Sequence, residues 1–307
     1  MKFNIFKVII IKLIICLDFY PSLGQHTLQT FNLYVFKSPD MFNKNTLHYF
    51  KKKNIKSAKL MTSSGFNPNG KGIDSFNIVR YMKLFYPDSA SSGTCVIDWE
   101  DSIFYNLRLN ESSVPFNMAV GSFLKVLKIM KQVRPNVSVG IFDLPFEVFY
   151  STADVYNMNN KFDKLFKYCD FIAPEIFIDF PDKEIGHKRN IIFIKHNLDI
   201  ALQYGYRLKK PVIPFIWEII HPSNKKYGGM LIPEYEYENY ADFMIHYKYN
   251  GTYIKGFFLW TSSVPEYAYY KILSDNNLTP SKSLAIHVRD SVLKHYYNGI
   301  LRMIEKQ

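Results

Sequence analysis

The sequence predicts an α/β fold, a distorted TIM-like (β/α) barrel of about seven or eight units in a single domain. Short apolar, β-branched runs alternate with amphipathic stretches of helical spacing, which is the pattern of parallel βα units. Several apolar runs end in an acidic residue or a tryptophan, and such barrels carry their active sites at these strand ends. The chain has 307 residues, of which 48% are hydrophobic, and this is enough for one large core.

The first part of the predicted barrel is the less regular one. An apolar run predicts a strand over 31–36. Residues 43–75 are polar and contain several glycines, so we expect an irregular stretch with a short strand within 55–61, followed by a helix over 73–85. The run Thr94–Glu100 is apolar and β-branched up to its two acids, which predicts a buried strand.

From residue 115 onward, the predicted helices and strands alternate. Apolar residues at helical spacing predict helices over 115–133, 160–168, 189–204, 237–249 and 281–305, the third of them capped by Gly205. The apolar runs between them predict strands over 137–143, 170–177, 211–218 and 254–261. No linker, repeat or low-complexity segment divides the chain, so one domain over residues 25–307 is expected.

Two acids, Asp98 and Glu100, end the predicted strand 94–100. Side chains alternate along a strand, so both acids point the same way with their Cα atoms roughly 6.5–7 Å apart. Two carboxyls this close cannot both ionise freely, and we expect one raised pKa, as a general acid requires at neutral pH. A pair of this kind also fits a strand end whose acids cap the next helix or pair with a lysine. The other predicted strand ends carry Asp143, Glu175, Glu218 and Trp260.

The formal net charge of +11 favours polyanionic partners such as nucleic acid, anionic polysaccharide or a membrane surface. The sequence contains no nucleic-acid-binding motif and no glycine-rich phosphate loop after a strand. Its histidines and cysteines lack the spacing of a zinc site. We therefore expect no nucleic-acid partner, no metal and no cofactor.

Residues 1–24 have the features of a secretory signal peptide. A basic start precedes the apolar stretch Val8–Leu17, and Ser22-Leu23-Gly24 offers small residues for cleavage before Gln25. The stretch is too short for a comfortable span and no later segment has about 18 uninterrupted apolar residues, so no stable membrane span is expected. The predicted location is extracellular or a lysosome-like compartment.

Two cysteines, Cys95 and Cys169, remain after this cleavage. Both lie at apolar, strand-like positions, so they are either two buried free thiols or, if their strands are neighbours, one disulfide. Acceptor sequons for N-glycosylation would suit a secreted glycoprotein. They occur at Asn110, Asn136, Asn250 and Asn277.

Six short motifs follow one another along residues 30–270. They are Phe31-Asn-Leu-Tyr34, Val96-Ile-Asp-Trp-Glu100, Arg134-Pro135 leading to Gly140-Ile-Phe-Asp-Leu-Pro145, Ala173-Pro-Glu-Ile-Phe177, Val212-Ile-Pro-Phe-Ile-Trp217 and Gly256-Phe-Phe-Leu-Trp260-Thr-Ser-Ser263. Each motif alone is weak, but their order at predicted barrel strands resembles that of the hyaluronidases of animals and venoms, a family of glycoside hydrolases.

The resemblance implies cleavage of β-linked N-acetylhexosaminides in hyaluronan or chondroitin, an anionic glycosaminoglycan substrate, without a cofactor. Glu100 is then the general acid, and Asp98 orients the acetamido group of the substrate, whose own carbonyl attacks the anomeric carbon. Trp260 is implied as one wall of the acetamido pocket, with Phe142, Phe177 and Trp217 as further substrate-binding positions. A basic cleft is expected around this pocket, since it would suit a polyanionic glycan.

The sequence departs from the family pattern at several of these positions. Phe142 and Phe177 stand where the family has tyrosines that hydrogen-bond the acetamido group, and a lost hydroxyl of this kind costs on the order of 10²–10³ in rate. Asp101-Ser102-Ile103 replaces a Trp-Arg-Pro that contains a substrate-binding arginine. Phe42 and Glu147 lie about where two disulfide cysteines would be.

Three functions remain open at this point. The first is a secreted glycoside hydrolase that acts on hyaluronan-like glycans. The second is a catalytically weak or inactive homologue that binds a glycan or a host surface protein. The third is a barrel hydrolase with another substrate that uses Glu175 or Glu218 beside Glu100. Retention of both Asp98 and Glu100 favours the first, whereas Phe142 and Phe177 favour the other two.

Overall fold

Six parallel strands form one curled sheet in which the strand order is β4-β3-β2-β1-β6-β5. The computed structural model describes residues 31–36, 41–68, 70, 72–150, 153–261 and 267–306. The strands are β1 (Asn32–Phe36), β2 (Lys56–Thr62), β3 (Gly93–Asp98), β4 (Val137–Ile141), β5 (Phe215–Ile216) and β6 (Gly256–Leu259). The predicted α/β class with a parallel sheet is thus confirmed.

Helices follow most of the strands, as the alternating sequence pattern predicts. They are α1 (Lys44–Lys52), α2 (Ser63–Phe66), α3 (Ser75–Phe85), α4 (Ser102–Asn106), α5 (Val114–Val133), α6 (Asp163–Phe166), α7 (Asp182–Ile185), α8 (His187–Leu208), α9 (Glu234–His246), α10 (Tyr267–Asp275) and α11 (Lys282–Ile304), with a 3₁₀ turn at Met158–Asn160. The helix predicted over 160–168 is therefore only the short α6 and the turn before it.

The strand β1 lies in the middle of the sheet and fixes its register. It pairs with β2, where Tyr34 stands opposite Lys56, and with β6, where Asn32 stands opposite Gly256. A Cβ at Gly256 would lie 2.0 Å from the carbonyl oxygen of Asn32, so only glycine allows the two backbones to approach this closely. All carboxyl ends therefore meet at one edge of the sheet.

Two predicted strands, 170–177 and 211–218, are much shorter in the structure than the sequence pattern indicates. Single parallel bridges join Phe142 to Ala173, Ile172 to Val212 and Glu175 to Phe215, and only Phe215–Ile216 forms a regular strand. Prolines 174, 211 and 214 interrupt both runs, and proline cannot donate a ladder hydrogen bond. The segment 170–176 nevertheless bridges to residues beside both edge strands, β4 and β5.

The short strand expected within 55–61 is confirmed as β2, but the rest of the stretch 43–75 is not irregular throughout, because residues Lys44–Lys52 form the helix α1. Asn43 accepts a hydrogen bond from the amide of Thr46 at 2.9 Å and caps α1, whose inner face buries Phe50. The polar composition of this stretch reflects the exposed face of an amphipathic helix and an outer strand face. The predicted Gly205 cap is also wrong, because α8 continues to Leu208 and ends at Lys209 in the left-handed conformation.

Cys95 and Cys169 are both buried free thiols, so the disulfide alternative is excluded. Within the described residues, no helix is long and apolar enough to span a membrane. The predicted signal peptide 1–24 and the boundary at Gln25 lie outside the described residues. The four predicted glycosylation sites, Asn110, Asn136, Asn250 and Asn277, are all exposed, and their modification stays a prediction.

Candidate active site

The end of β3 holds the predicted acid pair in the alternating arrangement that a strand dictates. Asp98 is the last residue of β3 and is half-buried, and Glu100 is exposed. Trp99 between them points the opposite way, packs on Phe66 at 4.4 Å between ring centroids, and donates from Nε1 to Asp101 at 2.6 Å. The buried indole therefore anchors the loop and turns both acids of the pair away from the core.

One carboxyl of the pair has a raised pKa, as the sequence predicts. Burial, the charge of Glu100 and a hydrogen bond with Glu100 raise the pKa of Asp98 to about 7. The raised pKa thus belongs to Asp98, which is more buried than Glu100.

Glu100 opens into a cavity of about 620 Å³ beyond the carboxyl ends of the strands. The loops after β3 and β4 and the segments that follow them supply its walls. The residues that line it are Glu100, Phe104, Tyr105, Arg108, Asp143, Glu147, Val148, Phe149, Ala153, Val155, Tyr156, Glu175 and His221. Its size suits a short stretch of a polymeric ligand, and several aromatic side chains at its edge are exposed, including Tyr105 and Phe149.

The loop after β4 brings two further carboxyls into this cavity. The amide of Phe142 donates to the carbonyl of Ile97 at 2.9 Å, which places Asp143 beside the end of β3. Asp143 has a positive φ of 52°, a conformation that costs a non-glycine residue energy and is common at functional sites. Its carboxylate accepts from the amide of Glu147 at 3.4 Å, so one turn aims both acids inward.

Burial, and after it the charges of neighbouring carboxylates, raise the pKa values of the acids in this cavity. Burial is the largest cause for each, and it raises the pKa of Asp143 to about 7 and that of Glu147 to about 9. Burial, together with the charges of Asp143 and Glu147, raises the pKa of Glu175 well above its ordinary value. Among the described residues, four carboxyls and two basic side chains, Arg108 and His221, line this cavity.

Replacing Glu147 with glutamine should stabilise the protein at alkaline pH. The folded state holds a proton at Glu147 that the unfolded state has released, so this acid costs stability progressively as the pH rises from about 5 to about 9. Because the side chain is partly exposed, we expect a gain of about 2 kcal/mol near pH 8, which is several degrees in melting temperature, and little gain near pH 5. Thermal unfolding at both pH values, with the exposed Glu111→Gln as control, tests this. An equal change at both would contradict the assignment.

His221 closes the opposite side of the cavity. Its Nδ1 lies 2.7 Å from the hydroxyl of Ser223 and 3.6 Å from Asp179, and its Nε2 lies 3.9 Å from Glu175. The ring also stacks on Phe177 with 5.9 Å between ring centroids. This histidine is therefore held in place by acids and an aromatic face.

The four predicted substrate-binding aromatics lie together in one cluster, but none of them lines the cavity. Phe142 stacks on Trp260 with centroids 6.0 Å apart, and Phe177 packs on Trp217 at 5.3 Å. Val96, two residues before Asp98 and on the same face of β3, belongs to this cluster. The cluster therefore lies beneath Asp98. Trp260 is its partly buried member, so the acetamido wall stays a prediction.

Glu218 can be separated from the other candidate acids. It is 1% exposed and accepts a hydrogen bond from the hydroxyl of Tyr269 at 2.5 Å. It does not line the cavity. Within the part of the chain that the structure describes, no group of histidine, cysteine or acidic residues has the arrangement of a metal site.

Comparisons with known proteins show the fold alone. No family model and no curated protein matches the sequence. The crystal structure of bee venom hyaluronidase in a monoclinic form is similar, with a TM-score of 0.61, 14% sequence identity, and coverage of 89% of this chain and 100% of that chain. Bee venom hyaluronidase in complex with a hyaluronic acid tetramer is similar with a TM-score of 0.58 and 14% identity, covering 85% of this chain and 95% of that one.

Proposed function

We propose that this protein is a glycoside hydrolase that cleaves β-N-acetylhexosaminide bonds in hyaluronan or chondroitin. One observation carries the proposal: the hydrogen-bonded pair of Asp98 and Glu100 stands at a strand end, and Glu100 faces a cavity. In such folds the chemistry is placed at this edge. The fold it shares with a hyaluronidase crystallised with a hyaluronic acid tetramer supports this choice of substrate.

In the proposed reaction Glu100 is the general acid and Asp98 is the acceptor for the acetamido N–H of the substrate. The acetamido oxygen attacks the anomeric carbon, the bond to the leaving oxygen breaks, and Glu100 gives that oxygen its proton. Water then opens the cyclic intermediate while ionised Glu100 takes up a proton. The N–H that approaches Asp98 favours its ionised form, so the proton of the pair passes to Glu100 as substrate binds.

In this proposal the aromatic cluster shapes the acetamido pocket, and the segment 170–176 completes the barrel around it. Trp260 forms one wall for the acetamido group, and Phe142, Phe177 and Trp217 support it from the cluster beneath Asp98. The segment 170–176, which bridges to residues beside both edge strands, closes the sheet into a distorted (β/α) barrel. The protein is secreted after loss of residues 1–24 and is glycosylated at its exposed sequons.

A second function is favoured by the two phenylalanines where the family has tyrosines. Phe142 and Phe177 are 6% and 3% exposed and offer no hydroxyl to the acetamido group. A protein with this site would bind the glycan and turn it over slowly or not at all. Binding without release of new reducing ends would identify this catalytically weak or inactive, glycan-binding alternative.

The direct test is incubation of the protein with hyaluronan and with chondroitin across acidic and neutral pH, followed by measurement of new reducing ends. The expected result is release from at least one polymer. Failure with both, from folded protein that still binds either polymer, would replace the hydrolase by the binding function.

Turnover should fall as the pH rises above about 7. The pKa of Asp98 is about 7, so the pair gives up its proton above this value and the leaving oxygen loses its proton donor. We expect kcat/KM on hyaluronan to decline about tenfold per pH unit on this limb. A pH–rate series measures it, with circular dichroism as a check that the fold persists. Undiminished rates near pH 9 would contradict this protonation requirement.

A further inference from the structure

Arg108 occupies a fixed position in the cavity wall, in the turn that follows α4. Three aromatic rings surround its guanidinium, with Cζ lying 5.2 Å from the ring centroid of Tyr105, 4.8 Å from that of Phe146 and 5.3 Å from that of Tyr156. Lys161 donates to the backbone carbonyl of Arg108 at 3.4 Å and so tethers the same turn. The guanidinium is thus oriented by packing before any ligand binds.

The donors of this guanidinium are unused by the protein. Among the described residues, none accepts a hydrogen bond from it or forms an ion pair with it, and its Nε is buried without a partner. Its two terminal nitrogens are not fully buried, and Arg108 lines the cavity. The planar guanidinium forms a fork of N–H groups that can donate two parallel hydrogen bonds to one carboxylate.

Among the described residues of the lining, Arg108 offers the most favourable place for an anion. Its charge lowers the pKa values of Asp143 and Glu147, although burial still raises both, so the guanidinium lies within electrostatic reach of both acids. His221, the other basic residue of the lining, already lies against Glu175 and Asp179. Elsewhere in the cavity an anionic group would approach the four carboxyls of the lining, and these repel it wherever they are ionised.

We infer that Arg108 binds the carboxylate of a hexuronate unit of the substrate and thereby sets the register in which the sugar chain lies across Glu100. The inference rests on the proposed function, and it identifies Arg108 as the residue that makes the enzyme prefer chains containing hexuronate. In a chain of alternating hexuronate and N-acetylhexosamine units, one anchored carboxylate leaves an acetamido sugar at the Asp98–Glu100 pair. A chain made only of N-acetylglucosamine has no such anchor and gains nothing from Arg108.

The test measures binding rather than turnover, so that it stands apart from the hydrolase proposal. Titration calorimetry near pH 5 compares hyaluronan oligosaccharides with uncharged N-acetylglucosamine oligosaccharides of equal length, both on Glu100→Gln protein. Adding Arg108→Gln should weaken hyaluronan binding about 10–100-fold, as expected for a lost charged hydrogen-bonded pair, and change binding of the uncharged chain less than about threefold. Arg108→Lys should recover part of the loss, since it restores charge without the fork.

Two further measurements complete the test. Arg80→Gln is the matched control, because Arg80 also lies against a ring, that of Tyr81 at 5.2 Å, but on the exposed surface of α3; it should leave both affinities unchanged. With Arg108 intact, added salt should weaken hyaluronan binding and spare the uncharged chain. Equal losses for both oligosaccharides, or none for hyaluronan, would overturn the assignment. Binding through Arg108 without any hydrolysis by wild-type protein would overturn the proposed activity and leave the anchor in place.

Discussion

Replacing Glu100 with glutamine should lower the hydrolysis of hyaluronan about 10²–10⁴-fold and leave the fold intact, because a positioned general acid contributes this much in rate. The side chain is exposed to the cavity, so an amide of equal size removes the proton without disturbing the core. Release of reducing ends near pH 5 gives the rate, and melting temperature reports the fold. KM should change little, since glutamine keeps the shape of the site.

The matched control for this change is Glu111→Gln, the same chemical substitution at an exposed position of the turn before α5, which should retain the wild-type rate. Unchanged turnover by Glu100→Gln would remove Glu100 from the mechanism. If Glu175→Gln abolished turnover instead, the active acid would lie on the segment after β4, and the protein would be a hydrolase of the third kind considered from the sequence. If Glu100→Gln lost both binding and the fold, the carboxyl of Glu100 would be needed for the structure, and the expectation of an intact fold would be wrong.

Of the candidate site, the placement of the acid pair is what the sequence predicts best. This prediction needs only the two-residue alternation of side chains along a strand, and β3 follows it. Val96 and Asp98 share one face of the strand, and Trp99 packs on the other. The same rule explains why Glu218, a candidate from the sequence, does not line the cavity. Trp217 belongs to the cluster beneath the site, so the next side chain points to the opposite face, where Tyr269 meets it.

The remaining cavity residues come from loops, where no period applies. Arg108 lies in a turn whose direction is set by packing between aromatic rings. Glu147 is aimed inward by the left-handed conformation of Asp143, which is uncommon for a residue other than glycine. Neither orientation follows from composition or spacing.

The predicted lengths of the strands 170–177 and 211–218 were wrong for a different reason. An apolar run predicts a buried segment, but apolarity alone does not show whether its backbone can hydrogen-bond to a neighbouring strand. Pro174 and Pro214 lack the amide hydrogen that a ladder needs, although their carbonyls still accept from Phe215 at 2.8 Å and Phe258 at 2.9 Å. The segments thus keep their place at the sheet edge with few regular bonds. This loose pairing brings Glu175 into the cavity.

Replacing Asp98 with asparagine should lower kcat by about 10²–10³ with KM nearly unchanged, because a neutral amide stabilises a developing positive charge on the acetamido nitrogen far less than a carboxylate does. The same change removes the group whose pKa is about 7, so the decline of the residual rate above that pH should move or disappear. Rates from pH 4 to pH 9 on hyaluronan measure both effects.

Stability separates this loss of chemistry from a loss of structure. The folded protein holds the proton of Asp98 up to a pH of about 7, above the ordinary value for an aspartate, so the acid costs stability that is absent below about pH 4 and grows as the pH rises between the two. Asp98→Asn removes that cost and should melt at or above the wild-type temperature near pH 8, while the exposed Asp242→Asn on α9 should match wild type in rate and melting. An Asp98→Asn protein that is inactive and also less stable at every pH would mean that the carboxyl supports the fold rather than the reaction. An inactive protein that is more stable at alkaline pH would mean that the fold tolerates a costly buried acid because the reaction uses it.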